Sequence, residues 1–264
     1  MASLPTPKHV ENSPLAPKAG TVSVKAPVKA DPFQKKLDQV IRLHKEGVAG
    51  NANAVQEANR LLEQLRQEHP GRPIADAYHG SVMILIARDK SKALEKLRWS
   101  KRGLKLLDGA VAAAPQDNRI RLLRGRTSYR LPEKHFRRTE TAIEDYVFLI
   151  DQHMRQEGFL GNEEYTQLIY ELGEAYSRIG RNQDAANCWR KLEKQAADPK
   201  YRNLAKQKLQ SVKNKPANQK IKDTDNPDLT NVIGVVVRAT GATLLKWVKH
   251  EEKKARRKKK KRRH

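Results

Sequence analysis

Apolar residues recur at steps of three and four through most of the stretch 33–212, and this period constrains the fold more than any other feature of the chain. Such steps place apolar side chains on one side of an α-helix, whereas a half-buried strand would alternate. No convincing alternation appears here, so the sequence predicts an all-α fold class. Nine segments are predicted to be helices: 33–44, 55–65, 74–87, 94–111, 120–131, 143–154, 165–176, 185–196 and 201–212. Segment 74–87 is apolar on almost every side and is therefore predicted to be buried.

The supply of apolar residues is small for a chain of 264 residues. Hydrophobic residues make up 38%, aromatic residues 5% and charged residues 32%, and 54 Lys and Arg against 30 Asp and Glu give a net charge of +24. Such a composition favours an unstructured share of the chain or a surface-rich architecture over one deep core, and it argues against a single large enzyme barrel.

Both ends of the chain differ from the periodic part. The first 30 residues contain five prolines and no aromatic residue, so a disordered arm is predicted for 1–32. Residues 213–227 are rich in Lys, Asn, Asp and Pro without periodicity, which predicts a linker. No apolar run of signal-peptide length follows Met1, so secretion by that route is not indicated. The single cysteine fits a reducing environment, and a cytoplasmic location is expected.

Three glycines mark an internal repeat. Gly80, Gly125 and Gly173 are spaced 45 and 48 residues apart, and Pro70 and Pro115 each lie ten residues before the following glycine. Units of this size are typical of stacked helix pairs, in which a glycine allows the two helices of a pair to approach closely. A non-repeating helical bundle is the alternative.

The fourth unit resembles the tetratricopeptide repeat (TPR), whose pattern is Leu-Gly-x-x-Tyr, then Ala, then an aromatic residue, then Pro. Leu192 stands where the family usually has Ala, and Pro199 comes slightly late. The matched positions are Leu172, Gly173, Tyr176, Ala185 and Trp189.

Further stretches look like a family of uncharacterised bacterial TPR-like proteins. These are 96–108, 123–132 and 141–146, and the resemblance covers roughly 33–210. It implies an α-solenoid of about four helix pairs with a capping helix, which binds other proteins as a scaffold. It implies no reaction.

Three arginines are predicted to line the groove of such a solenoid. If Gly125 is equivalent to Gly173, then Arg119, Arg126 and Arg130 lie close to one line along their helix, here named the arginine stripe. In the family this line faces the concave groove, where guanidinium groups would bind an acidic peptide, a carboxylate terminus or a phosphate. The alternatives are a solvated face and pairing with the acidic stretch 140–174. The equivalent residues of the fourth unit, which are predicted to belong to the same partner-binding groove, are Gln167, Glu174 and Arg178.

The C-terminal part has a different character. Residues 228–250 are apolar-rich but contain Arg238, and 251–264 form a polybasic tail. The sequence leaves three alternatives for this part of the chain. It attaches to the anionic inner face of a membrane, its apolar segment packs on the helical domain, or its tail binds nucleic acid non-specifically. The candidate attachment residues are Val232, Val236, Trp247, Lys253, Lys254, Arg256, Arg257, Lys258, Lys259, Lys260, Lys261, Arg262 and Arg263.

Searches for catalytic and metal-binding patterns find nothing. The chain has no phosphate-binding loop, no dinucleotide fingerprint and no His-Glu-x-x-His. Cys188 is the one cysteine and is predicted to be an inert core thiol, while His44 is predicted to be a packed side chain. The sequence therefore predicts a non-enzymatic protein without cofactors and without a small-molecule substrate. A site assembled from distant helices is the alternative that no linear pattern tests.

Overall fold

The computed structural model describes residues 31–156 and 160–218. The apolar segment 228–250 and the polybasic tail lie outside the described residues, as does the predicted N-terminal arm except for Asp31 and Pro32, which begin the first helix.

The described part of the chain is all-α and contains no strand. Nine long helices correspond to the nine predicted segments, and the remaining helix is a short turn. The helices are α1 Pro32–Val48, α2 Ala52–Glu68, α3 Pro73–Asp89, α4 Ala93–Ala113, α5 Asn118–Arg130, α6 Glu133–Phe136, α7 Thr139–Arg155, α8 Asn162–Arg178, α9 Asn182–Gln195 and α10 Pro199–Val212.

Local sequence explains where several helices begin. A side-chain oxygen that accepts a hydrogen bond from an amide of the first turn satisfies a donor that has no partner inside the helix. The residues that do this for α1, α2, α5 and α10 are Asp31, Asn51, Asp117 and Asp198. Proline stands at the start of α1, α3 and α10, where its missing N–H costs no hydrogen bond.

The helices pack in pairs that follow one another along the chain. α1 packs on α2, α3 on α4, α5 on α7, and α8 on α9. The second helix of each pair also packs on the first helix of the next pair, and α10 packs on α9 and α8. The first helices of the first three pairs contact one another, α1 with α3 and α3 with α5. The order of the pairs in space therefore follows their order in the sequence.

The core consists of two clusters of buried apolar residues. One extends from Phe33 in α1 to Ile120 in α5, and the other from Ile143 in α7 to Val212 in α10. α3 is buried on almost every side, which confirms the prediction for 74–87. Helix α5 joins the two clusters, because Leu123 packs on the first and Tyr129 on the second.

Candidate functional site

The repeat glycines lie at the contacts between paired helices. A methyl group on Gly80 of α3 would lie 2.6 Å from the carbonyl oxygen of Gly103 in α4 and 2.9 Å from Cγ of Leu107. A methyl group on Gly103 would in turn lie 2.5 Å from the carbonyl oxygen of Gly80. Two backbones thus touch at this crossing, and neither position has room for a side chain.

The other two repeat glycines have side-chain neighbours instead of a second glycine. A methyl group on Gly125 would lie 3.0 Å from Cβ of Asp145 and 3.0 Å from Cε1 of Tyr146, both on α7. Gly173 lies directly against the indole of Trp189 on α9, whose Cε2 would be 2.8 Å from the added carbon. These are the close crossings that the glycine spacing predicts. The remaining residues matched to the repeat pattern, Leu172, Tyr176 and Ala185, are fully buried.

The arginine stripe lies on α5, but its three members differ in their surroundings. Arg119 is 58% exposed and lies 3.9 Å from Asp117. Arg126 is half-buried and forms an ion pair of 3.1 Å with Glu164 of α8. Arg130 is exposed, and its charge contributes to the lowered pKa of His44 in α1. Arg126 therefore has a partner in the acidic stretch 140–174, while the stripe keeps exposed cations at its two ends.

Two of the three equivalent residues of α8, Glu174 and Arg178, contact neighbouring helices. Glu174 forms an ion pair of 2.5 Å with Lys208 of α10 and accepts a hydrogen bond of 2.5 Å from the hydroxyl of Tyr129 in α5. Burial raises the pKa of Glu174, but hydrogen bonds from Lys208 and Tyr129 bring it below its ordinary value. Arg178 donates to the carbonyl oxygen of Tyr129 at 2.8 Å. Gln167 donates to Glu171 on its own helix at 2.8 Å.

Glu174 and Arg178 are thus placed differently from the sequence-based expectation. The expectation treated them as groove residues open to a partner, because the repeat pattern assigns those positions to the concave side. In the structure, Lys208 of α10 and Tyr129 near the end of α5 lie on this side of α8. They bind the carboxylate of Glu174 and, through the carbonyl oxygen of Tyr129, the guanidinium of Arg178. On the first-helix side, Arg119 and Arg130 at the two ends of α5 stay exposed.

A buried network of charges, missed at the level of sequence, lies where the two core clusters meet. Arg124 of α5 donates to both carboxylate oxygens of Asp145 in α7, at 2.8 Å each. Arg121 donates to the same carboxylate at 2.9 Å and to Glu144 at 2.6 Å. Asp145 is fully buried, so its charge depends on these two guanidinium groups.

The network extends to α4 through one further acid. Asp108 accepts two hydrogen bonds from Arg138, of 2.6 and 3.1 Å, and lies 3.6 Å from Arg124. Three consecutive long helices are therefore joined by charge-assisted hydrogen bonds. The available sequence signal was the pair Arg121 and Arg124, one turn apart, facing the adjacent acids Glu144 and Asp145.

A chain of polar contacts connects the first helices of the first three pairs. Nε2 of His44 in α1 is hydrogen-bonded to the hydroxyl of Ser81 in α3 at 2.8 Å, and that hydroxyl lies 3.4 Å from the hydroxyl of Thr127 in α5. The rings of His44 and Tyr78 pack edge to face, with their centroids 5.4 Å apart. Burial, with a contribution from Arg130, lowers the pKa of His44 to about 4. The prediction that His44 is a packed side chain is confirmed.

A second histidine joins α2 to α3. Arg66 donates to Nδ1 of His79 at 3.0 Å, so Nε2 carries the proton that is donated to Asn59 at 3.1 Å. Burial, with a contribution from Arg66, lowers the pKa of His79 to about 4. Within the described ranges, no group of His, Cys, Asp and Glu side chains could hold a metal ion.

Cys188 is buried in the second core cluster and forms no disulfide. Burial raises the pKa of its thiol, which keeps the thiol protonated and unreactive. The thiol is therefore inert, as predicted.

The C-terminal end of the described region has a groove of about 450 Å³ between α9 and α10. The start of the predicted linker lies against this groove and is held there by two hydrogen bonds. The side chain of Asn182 donates to the carbonyl oxygen of Pro216 at 2.8 Å, and the backbone amide of Gln183 donates to the carbonyl oxygen of Ala217 at 3.1 Å. The charged residues that line the groove are Arg190, Glu193, Lys194, Lys213 and Lys215.

The predicted attachment residues from Val232 to Arg263 lie outside the described residues, so the three alternatives for the C-terminal part stay predictions. Among the helices that the structure describes, none is both long enough and apolar enough to cross a lipid bilayer.

No protein-family model matches this chain, and no curated protein is significantly similar to it in sequence.

Proposed function

We propose that residues 32–212 form an α-solenoid of four TPR-like helix pairs capped by α10, and that this solenoid is a non-enzymatic scaffold that binds an acidic segment of another protein. The observation that carries the proposal is one packing relation that repeats along the chain: each second helix packs on its own first helix and on the first helix of the next pair. Such an array exposes a long surface relative to its core, which suits a protein whose function is to bind a partner.

The binding surface in this proposal is the side of α1, α3 and α5 that carries the arginine stripe. Arg119 and Arg130 are exposed there, and Arg126 between them is held by Glu164. Guanidinium groups bind carboxylates through two parallel hydrogen bonds, which supports an Asp- or Glu-rich segment as the ligand. The acidic segment would lie across α5 and end where α10 and Lys208 cover α8.

The test uses the full chain and a set of Asp- and Glu-rich peptides, with affinity measured by fluorescence anisotropy. The double variant Arg119→Glu/Arg130→Glu should weaken peptide binding about tenfold or more, because each charge-assisted contact contributes about 1.5–3 kcal/mol. The matched control Lys101→Glu/Lys105→Glu changes the net charge equally on α4, where both lysines are exposed. Equal weakening by both variants would reduce the effect to net charge and contradict the proposed groove.

A further inference from the structure

The outer face of α4 carries a row of cations that the proposed function does not use. The cations of this row are Arg98, Lys101 and Lys105, and Leu94 precedes them. The steps between the four residues are four, three and four, so their side chains share one face of the helix. All four residues are exposed, and Leu94 is the one large hydrophobic residue in the described chain that is strongly exposed, at 68%. The opposite face of α4, with Gly103 and Leu107, is buried against α3.

These cations are not neutralised within the described structure. Arg98, Lys101 and Lys105 make no hydrogen bond and no ion pair with any residue of the ranges 31–156 and 160–218. Most other arginines of the helical unit do have a carboxylate partner; Arg124 and Asp145 are one example. Three like charges at these spacings on one helix face repel each other, so the row is a cost to folding that an anionic ligand would remove.

Charge complementarity therefore points to an anionic partner, and the neighbouring helices restrict its shape. The pairs on either side contribute α2, where Glu63 and Glu68 are exposed, and α7, where Glu144 is exposed. A flat anionic bilayer wide enough to lie on all three helices would meet these acids as well as α4. A polymer that lies along α4 meets fewer of them.

The spacing of the row fits the phosphates of a nucleic-acid duplex. Seven residues separate Arg98 from Lys105, which is about 10 Å along the helix axis. The long side chains at the two ends of this row can reach the phosphates on either side of one contacted by Lys101. Single-stranded nucleic acid usually stacks its bases on exposed aromatic side chains. Trp99, the one aromatic residue of α4, is half-buried and lies under the guanidinium of Arg102 at 5.5 Å.

We propose that the outer face of α4 is a sequence-independent binding surface for duplex DNA, in which Arg98, Lys101 and Lys105 contact consecutive phosphates of one strand. Phosphate contacts of this kind position a protein on a duplex without reading its sequence. The surface on α4 is distinct from the arginine stripe on α5, so either proposal can fail without the other.

The test measures the affinity of the full chain for a short DNA duplex by fluorescence anisotropy over a series of salt concentrations. The variant Arg98→Glu/Lys101→Glu/Lys105→Glu should bind about tenfold or more weakly at ~0.1 M salt, and its plot of log affinity against log salt should be shallower by about 2.7, or 0.9 for each lost phosphate contact. The single variant Lys101→Gln, with a slope shallower by about 1, provides the same readout if the triple variant folds poorly.

The matched control is Lys35→Glu/Lys45→Glu/Lys206→Glu, which changes the net charge equally at exposed residues of α1 and α10. Equal loss in both triple variants, or no loss in the α4 variant, would overturn the proposal and assign DNA binding to net charge or to the C-terminal tail. A second arm uses vesicles of anionic phospholipid and the variant Leu94→Gln. Loss of vesicle binding in the α4 variant and in Leu94→Gln, with DNA binding unchanged, would overturn the proposal in favour of a bilayer.

Discussion

Arg124 on α5 and Asp145 on α7 form a two-point ion pair, with both nitrogen–oxygen distances 2.8 Å, at the boundary between the two hydrophobic clusters. Asp145 is fully buried, whereas Glu144, its neighbour in the sequence, has a side chain that is 46% exposed. The two acids are adjacent in the chain and bind the same arginines, but they lie in different dielectric surroundings. Their contributions to stability should therefore differ strongly.

Replacing Asp145 should destabilise the helical unit far more than replacing Glu144. Asp145→Ala leaves the buried Arg124 and the largely buried Arg121 without the one buried acceptor that they share, and we expect the free energy of unfolding to fall by about 3–5 kcal/mol. Glu144→Ala removes a solvent-screened contact and should cost less than about 1 kcal/mol. Urea unfolding followed by circular dichroism measures both values. Equal losses would show that the buried pair has no special part in joining α5 to α7.

Two glycines of α4 provide a matched test of the close helix crossing. Gly103→Ala should lower the free energy of unfolding by about 1–3 kcal/mol, because the new methyl group would meet the backbone of Gly80. A methyl group on Gly109 would meet no atom within 4 Å beyond the adjacent turns of its own helix. Gly109→Ala should therefore raise the free energy of unfolding by about 0.5–1 kcal/mol, because alanine has a higher helix propensity than glycine. Thermal unfolding of the two variants beside the parent chain gives the comparison. If Gly103→Ala melts at or above the parent temperature, the two backbones do not touch as described.

Stability should fall as the pH decreases from about 6.5 to about 4. Burial lowers the pKa of His44 and of His79 to about 4 in the folded state, whereas unfolded histidine has a pKa near 6.5. In this window the unfolded chain binds more protons than the folded chain, so protonation favours unfolding.

The variant His79→Gln isolates the contribution of one histidine from that of the carboxylates. The parent should lose about 2–3 kcal/mol more than the variant when urea unfolding at pH ~4.5 is compared with unfolding at pH ~7, since each factor of ten in proton affinity corresponds to about 1.4 kcal/mol. The same pH dependence in both proteins would mean that the pKa of His79 is not lowered in the folded state.

The C-terminal residues make a prediction that rests on the sequence alone. If residues 228–250 and the polybasic tail attach the protein to a membrane, both parts are needed, because one apolar segment or one basic cluster alone binds weakly. The full chain should then co-sediment with anionic vesicles at low salt and much less with neutral vesicles. Val236→Asp should release it, although the positive charge of the tail is unchanged. Equal sedimentation with both vesicle types, or with neither, would leave packing on the helical domain as the better account of this segment.

The nine long helices, the buried character of α3 and the contacts of Gly80, Gly125 and Gly173 could be predicted because each depends on local sequence. A period of 3.6 residues defines the buried side of a helix before the helix has a partner, and a glycine at a fixed place in successive units indicates where backbones approach. The inert state of Cys188 followed in the same way from its position beside Trp189 on the buried side of its helix.

The roles of the arginines on α5 were decided only by the tertiary structure. This helix contains five arginines, and the sequence assigned Arg119, Arg126 and Arg130 to one line while giving no reason to separate buried arginines from exposed ones. Arg124 became a core residue because α7 places Asp145 opposite it. Similarly, the carboxylate of Glu174 is bound in an ion pair within the protein because α10 places Lys208 beside it. The periodicity of a helix determines which of its faces is apolar, but the partner of a charged side chain comes from another helix, and its identity depends on how the pairs stack.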